Sequence, residues 1–415
     1  MNIIKRSAFI SFVVVAGIFP IITQAATFGA YDPRSLAMGG TGVSQANIDH
    51  AAYYNPALLS IAQDDDDFSL LIPTVGLQVY DPNELVDAVK AHQDGNYETA
   101  FSNSIDNYNN AAPADKLALR SEVVSNAQRL KDSYVNISDK ALDFELHAAV
   151  GIAVPGKGLG FAITGSGRVM GGVVMNISQA DKDLMQKYID LDPSVYTTGT
   201  AFSPANLTST ANVRGASIVE GGLSLSHEFE SLGNLSIGIT PKTVQVATYD
   251  YIVAVEDSET DKDKGKLSYD NTNIDIGLAK RINEDWKVGL VVKNAIKREY
   301  KTVLANTIVL KPAVRAGISH HTNWTTVALD VDLTENDRTG LTGEKTRYAA
   351  LGMEFDLSLI QLRLGARHNL SVAGDRASNL LSAGVGLYVA GLHVDVGVAK
   401  NKDELAAAAQ LGFQF

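Results

Sequence analysis

The chain has 415 residues and no cysteine. Disulfide bracing, thiolate metal sites and thioredoxin-like redox chemistry are therefore excluded. Positive charge is also scarce, with 35 lysines and arginines against 47 acids and a formal net charge of −12, which argues against a nucleic-acid partner. Beyond the first 25 residues no uniformly apolar run reaches the roughly 20 residues of a membrane-spanning helix. The nearest candidate, Leu380 to Ala399, carries Gly384, Gly386, Gly391 and Gly397, each costing a helix about 1 kcal/mol relative to alanine. Two strands meeting at Ala390-Gly391 accommodate it better. Nucleophile elbows, phosphate-binding loops and helical zinc pairs are absent as well. No enzyme, metal or cofactor is expected, and a hydrolase triad assembled from distant Ser, His and Asp is the minor alternative.

What is present begins with an export pattern. Lys5 and Arg6 precede an uncharged apolar run from Ala8 to Ile22, and Thr23-Gln24-Ala25 supplies small residues before Ala26. Residues 1–25 read as a cleaved secretory signal, whose removal takes the net charge from −12 to −14. At the other end, Leu411-Gly412-Phe413-Gln414-Phe415 alternates and closes on phenylalanine. Together these predict a barrel delivered to a Gram-negative outer membrane, with membrane lipid and the barrel assembly machinery as its partners. Gln410 stands where such terminal strands commonly carry glycine.

The clearest period-two segment runs Leu142, Phe144, Leu146, Ala148, Val150, Ile152, Val154, with Asp143, Glu145 and His147 between. A soluble sandwich has the same period, so the decision comes from counting. Candidate strands at 68–80, 140–154, 159–175, 212–229, 235–255, 267–280, 286–295 and 309–320 are followed by 324–333, 347–357, 360–368, 380–389, 392–400 and 405–415. That makes an all-β, antiparallel transmembrane barrel of about fourteen strands. Short turns at 155–158, 231–234, 283–285, 321–323, 357–359 and 390–391 alternate with mostly longer loops, as periplasmic turns alternate with external loops. Trp286 and Trp324, the two tryptophans, follow short turns, with Phe68, Phe413 and Phe415 at the level of a periplasmic aromatic girdle. Helix-compatible insertions near 81–139 and 176–211 then fall outside the cell.

Residues 26–67 precede the first strand. They contain Tyr31-Asp32-Pro33-Arg34-Ser35-Leu36-Ala37-Met38-Gly39-Gly40-Thr41-Gly42-Val43 and Ala51-Ala52-Tyr53-Tyr54-Asn55-Pro56-Ala57-Leu58-Leu59. The pairing of a glycine-rich turn with Asn-Pro-Ala resembles the N-terminal hatch of the long-chain fatty acid transporter superfamily. Within it the chain looks most like the group labelled conjugal transfer protein TraF, which shares this opening and the helix start from Asp81 to Asp87. That label also covers thioredoxin-like pilus proteins, which a cysteine-free chain cannot be. The resemblance implies a hatch in the lumen, with Asn55, Pro56 and Ala57 as the plug segment. Gly39, Gly40 and Gly42 allow tight turns against the wall.

Strand parity predicts a lumenal charge ladder of Lys311 and Arg315, Asp330 and Asp332, Glu354 and Asp356, then Arg363 and Arg367. Its first reading is structural, as paired charge filling an interior; its second is solute guidance. Gly165, Gly167, Gly171 and Gly172 suggest a bend or bulge in the third strand, where the resemblance implies a lateral gate. Asp64-Asp65-Asp66-Asp67 reads as a solvated boundary rather than a calcium loop. His320 and His321 should point to opposite faces, which disfavours a shared metal. The expected function is passive uptake of a small hydrophobic ligand. The alternative is a surface barrel that assembles or binds conjugation or secretion proteins.

Overall fold

The computed structural model describes residues 32–61, 68–196, 202–254, 265–337, 340–372 and 379–414. The leader expected at 1–25, Asp64–Asp67 and Phe415 lie outside them. Fourteen antiparallel strands form one closed barrel. In chain order its first half comprises β1 (Ser69–Tyr80), β2 (Ala141–Val154), β3 (Gly160–Asn176), β4 (Thr210–Phe229), β5 (Leu235–Ala254), β6 (Lys266–Arg281) and β7 (Trp286–Lys293). A hairpin of β8 (Arg298–Lys301) and β9 (Thr307–Leu310) stands apart from the wall, which resumes with β10 (Ala313–His321) and β11 (Thr325–Asp332). A second small pair, β12 (Asn336–Asp337) and β13 (Lys345–Thr346), precedes β14 (Tyr348–Asp356), β15 (Ile360–Asn369), β16 (Leu380–Val389), β17 (Leu392–Lys400) and β18 (Glu404–Gln414). Pairing of β1 with β18 closes the cylinder.

Burial is inverted relative to a water-soluble sandwich. In β15, Leu362 and Leu364 are exposed while Arg363 between them is 2% exposed; in β17, Val394, Val396 and Val398 are exposed while His393 and Asp395 are buried. Apolar side chains on the outside and charge on the inside are what a lipid solvent requires. The short turns gather at one end. Trp286 and Trp324 are exposed there, Trp286 against His320 at 4.7 Å between ring centroids. His321 instead hydrogen-bonds Thr326.

Wall height is uneven. Strands β3 to β6 run 16 to 20 residues, whereas β7, β10, β11 and β14 have eight or nine, about the number that crosses a bilayer. The excess height carries a cap made of α1 to α4 (Leu85–Gly95, Tyr97–Asn110, Lys116–Ile137 and Gln179–Ile189). Phe101 is its centre, edge-on to Tyr188 and Phe202 at 5.0 and 4.7 Å, and Leu142, Met175 and Val253 extend this core onto the upper strand ends. The β8–β9 hairpin packs Tyr300, Ile308 and Leu310 against Ile218, Val244 and Val246.

Two sequence expectations are corrected here. The single strand anticipated at 309–320 is broken at Lys311-Pro312, because proline has no N–H for the ladder. Lys311 consequently lies between β9 and β10, outside the wall. The glycine-rich β3 is paired to both neighbours without a register shift, so Gly165, Gly167, Gly171 and Gly172 mark no bulge. The shift is in β1, beside Pro73, against β2 and β18 alike.

Candidate lumenal site: the hatch and its wall

Residues 32–61 fold into a hatch inside the barrel. It has a five-residue helix Pro33–Ala37, a helix Ile48–Tyr54 and a 3-10 turn Pro56–Ser60. Asp32 caps the first helix by accepting from the Ser35 N–H at 2.8 Å, and Gly39 and Gly40 take φ of +73° and +97°, which turn the chain sharply afterwards. Asn55 acts at three points. Its amide donates to the Val43 and Leu278 carbonyls at 2.9 and 3.0 Å, and its side-chain oxygen accepts from the Ala57 N–H at 3.1 Å. Pro56 opens the 3-10 turn, where its missing N–H costs nothing, and the Ala57 carbonyl accepts from Ser236 in β5 at 2.6 Å.

The wall makes room by omitting side chains. Four glycine pairs face each other across neighbouring strands: Gly238 with Gly277, Gly289 with Gly317, Gly352 with Gly365, and Gly384 with Gly397. Each lies three to five residues from the short-turn end of its strand, so the pairs lie at one height along eight of the fourteen wall strands. A Cβ at Gly289 would overlap the Val43 carbonyl, one at Gly365 the backbone of Met38 and Gly39, and one at Gly238 the backbone of Pro56 and Ala57. Hatch backbone thus rests directly on wall backbone.

Charge supplies the remaining attachments. The Asp330 carboxylate accepts from the Gly42 and Val43 N–H groups at 2.8 and 3.0 Å, while Arg315 donates to Asp332 at 2.6 Å and to the Gly40 carbonyl at 3.0 Å. On the neighbouring strands Arg34 of the hatch forks onto Glu354 at 2.8 and 2.9 Å. Arg363 joins Glu354 to Asp395, and Asp395 holds His393 at 3.0 Å. Gln410 closes the chain by donating to Asp49 of the hatch at 2.9 Å. Arg367 pairs with Glu404 and lies over the Tyr348 ring.

Of the anticipated ladder, Arg315, Asp330, Asp332, Glu354, Arg363 and Arg367 are buried in the lumen. Asp356 is exposed at the end of β14, where it caps the 357–359 turn through the Ser358 N–H at 2.8 Å. It joins Lys311 outside the buried set. Residues that sequence reasoning missed are Arg34, Asp49, His393, Asp395, Gln410 and the glycine pairs. Inward parity of His393, Asp395 and Gln410, and the recurrence of glycine near each short turn, were the available signals.

Over residues 52–332, more than half of its length, the sequence matches the family described as "F plasmid transfer operon, TraF, protein". The chain belongs to this TraF family. No curated protein matches this TraF-family chain. Among solved structures it is similar to the toluene transporter TodX of P. putida, at 11% identity and a TM-score of 0.51, covering 94% of this chain and 99% of that one. A TodX deltaS2S3 mutant, described as a monoaromatic hydrocarbon channel, matches at 11% identity and a TM-score of 0.53, covering 93% of this chain and 99% of that one. The TraF-family chain therefore shares the closed-barrel fold of these channels.

Proposed function

We propose that this TraF-family barrel is an outer-membrane channel for passive passage of small hydrophobic molecules. The observation that carries the reading is the fold shared almost end to end with a protein described as a toluene transporter. The mature chain would start near Ala26 after cleavage of the leader, and its terminal aromatic strand would be read by the barrel assembly machinery. Ligand would be gathered above the tall side of the wall and pass toward the hatch. With the hatch resting on glycine pairs and clamped by Arg34, Asp49 and Asp330, sideways release is favoured over ejection of the plug. The ladder is already interrupted in β1 beside Pro73, whereas β3 is continuous.

Liposomes containing the folded protein test this with a fluorescent fatty acid and a polar dye of similar size. Selective passage of the apolar probe is expected; exclusion of both would overturn the reading. A second reading, an assembly or interaction factor for conjugation or secretion proteins, is favoured by the description of the matched family. Its surface would be the helical cap, and deleting residues 85–137 would abolish partner capture with permeability unchanged.

A further inference from the structure

Three structures lie over the tall side of the barrel, and they are held by different forces. The helical cap is joined to the strand ends by a continuous apolar core. The β8–β9 hairpin is held by Tyr300, Ile308 and Leu310 on the inner face of β4 and β5. The third is the segment Gly340–Glu344, from the connection between β11 and β14. Its anchor lies on the far side of the lumen, since β2 stands seven strands from β11 in either direction around the closed sheet.

The anchor is Asp143, an inward residue of β2 that is 2% exposed. Its carboxylate accepts from the Leu341 N–H at 2.8 Å, from the Thr342 N–H at 3.4 Å and from the Thr342 hydroxyl. Tyr80 of β1 adds a hydrogen bond to Glu344 at 2.7 Å. Gly340 passes the carboxylate at φ +141°, a conformation that side chains disfavour. Gly172 of β3 forms the floor, for a Cβ there would lie 2.6 Å from the Leu341 nitrogen and 3.0 Å from the Gly340 Cα. Among the described residues, Gly340–Glu344 contributes no member to a buried apolar cluster. A contact made of a few polar bonds at one end opens more readily than an apolar core, because water replaces what it loses.

We propose that Gly340–Glu344 is a latch across the external mouth, fastened on Asp143, whose release admits solute to the lumen. This rests on the channel reading above. It gives Gly172 a function different from a bend in the wall: it is the seat on which the latch closes.

The test uses the absence of native cysteine. In the full-length protein, Asp143→Cys with Thr342→Cys replaces a side-chain contact by a bond that can be closed and opened. Heat-modified migration on gels confirms that the barrel has folded, and flux is read as potassium chloride conductance in planar bilayers beside liposome uptake of the fluorescent fatty acid. Oxidation should reduce both to the protein-free background, and the reduced form, which lacks the Asp143 carboxylate, should exceed wild type several-fold, as Asp143→Ala should. Equal flux in the oxidised and reduced forms would overturn the latch, as would an Asp143→Ala protein that conducts no better than wild type. If conductance follows the disulfide while the fatty acid never passes, the latch stands and the hydrophobic-channel reading fails.

Discussion

At the scale of single residues, side chains that share a lumen are constrained more by their partners than by their own strands. Arg363 touches Glu354 at 2.6 Å and also Asp395, with all three buried. Replacing it with alanine strips Asp395 of its arginine and leaves Glu354 with Arg34 alone, a loss of about 3–5 kcal/mol for a broken buried pair. Urea unfolding in vesicles should show that drop for Arg363→Ala. Gly289 tests the wall in the opposite sense. A Gly289→Val side chain would occupy the space of the Val43 carbonyl, and overpacking of this kind costs about 1–3 kcal/mol. The expected sign is not loss of the barrel but an unseated hatch, detected as protease cleavage within residues 32–61 of a protein that still migrates as folded.

At the scale of elements, one carboxylate in the first turn of the cap's last helix supplements its apolar core. Asp181 accepts from the N–H groups of Thr208 and Ser209 at 3.0 and 2.7 Å and from both hydroxyls, joining that helix to the start of β4. Burial alone would raise its pKa, but the bonds from Ser209 and Thr208 outweigh it and hold the carboxyl below the usual aspartate range. A folded value below the unfolded one, near 3.9 for a free aspartate, means that the contribution is present above that pH. It is lost as pH falls through the lower folded value. Protection of residues 179–196 from pepsin should therefore decline as pH is taken from about 4 downward. Asp181→Ala should show the same loss at neutral pH, where hydrogen exchange of α4 would report it.

At the scale of the whole molecule, on the proposed channel reading, the uneven wall decides where solute can approach. The long strands β3 to β6 raise one side and support the helical cap, while the short side sends the β8–β9 hairpin and the latch inward. Beneath them the hatch is fixed by backbone contact along four glycine pairs of the wall. In the proposed channel, passage therefore calls for a change at the mouth or in the wall rather than withdrawal of the whole plug. The apolar exterior makes a further demand. Val394, Val396 and Val398 of β17, Leu381, Val385 and Leu387 of β16, and Leu362 and Leu364 of β15 are exposed on one continuous face of three adjacent strands. Sedimentation of the purified protein should give a monodisperse species in detergent micelles and aggregates once detergent is removed.

The order of fourteen strands, the short turns and the helical insertions were legible in the amino-acid sequence because each depends on local chemistry. Side chains alternate with period two, turns and caps use residues a few positions apart, and Asn55-Pro56-Ala57 specifies its own 3-10 turn. Pairings across the lumen were not legible. Arg34 meets Glu354 across 320 positions, Arg367 takes Glu404 rather than a neighbour in the expected ladder, and Asp143 holds a loop from the opposite wall. Parity says which face a residue occupies, but not what stands across the cylinder. That depends on strand number, wall height and the path of the hatch, which exist only when the sheet closes. Gly172 shows the difference most clearly: its composition suggested a bend in a strand, and the closed barrel instead sets the mouth-crossing loop directly above it.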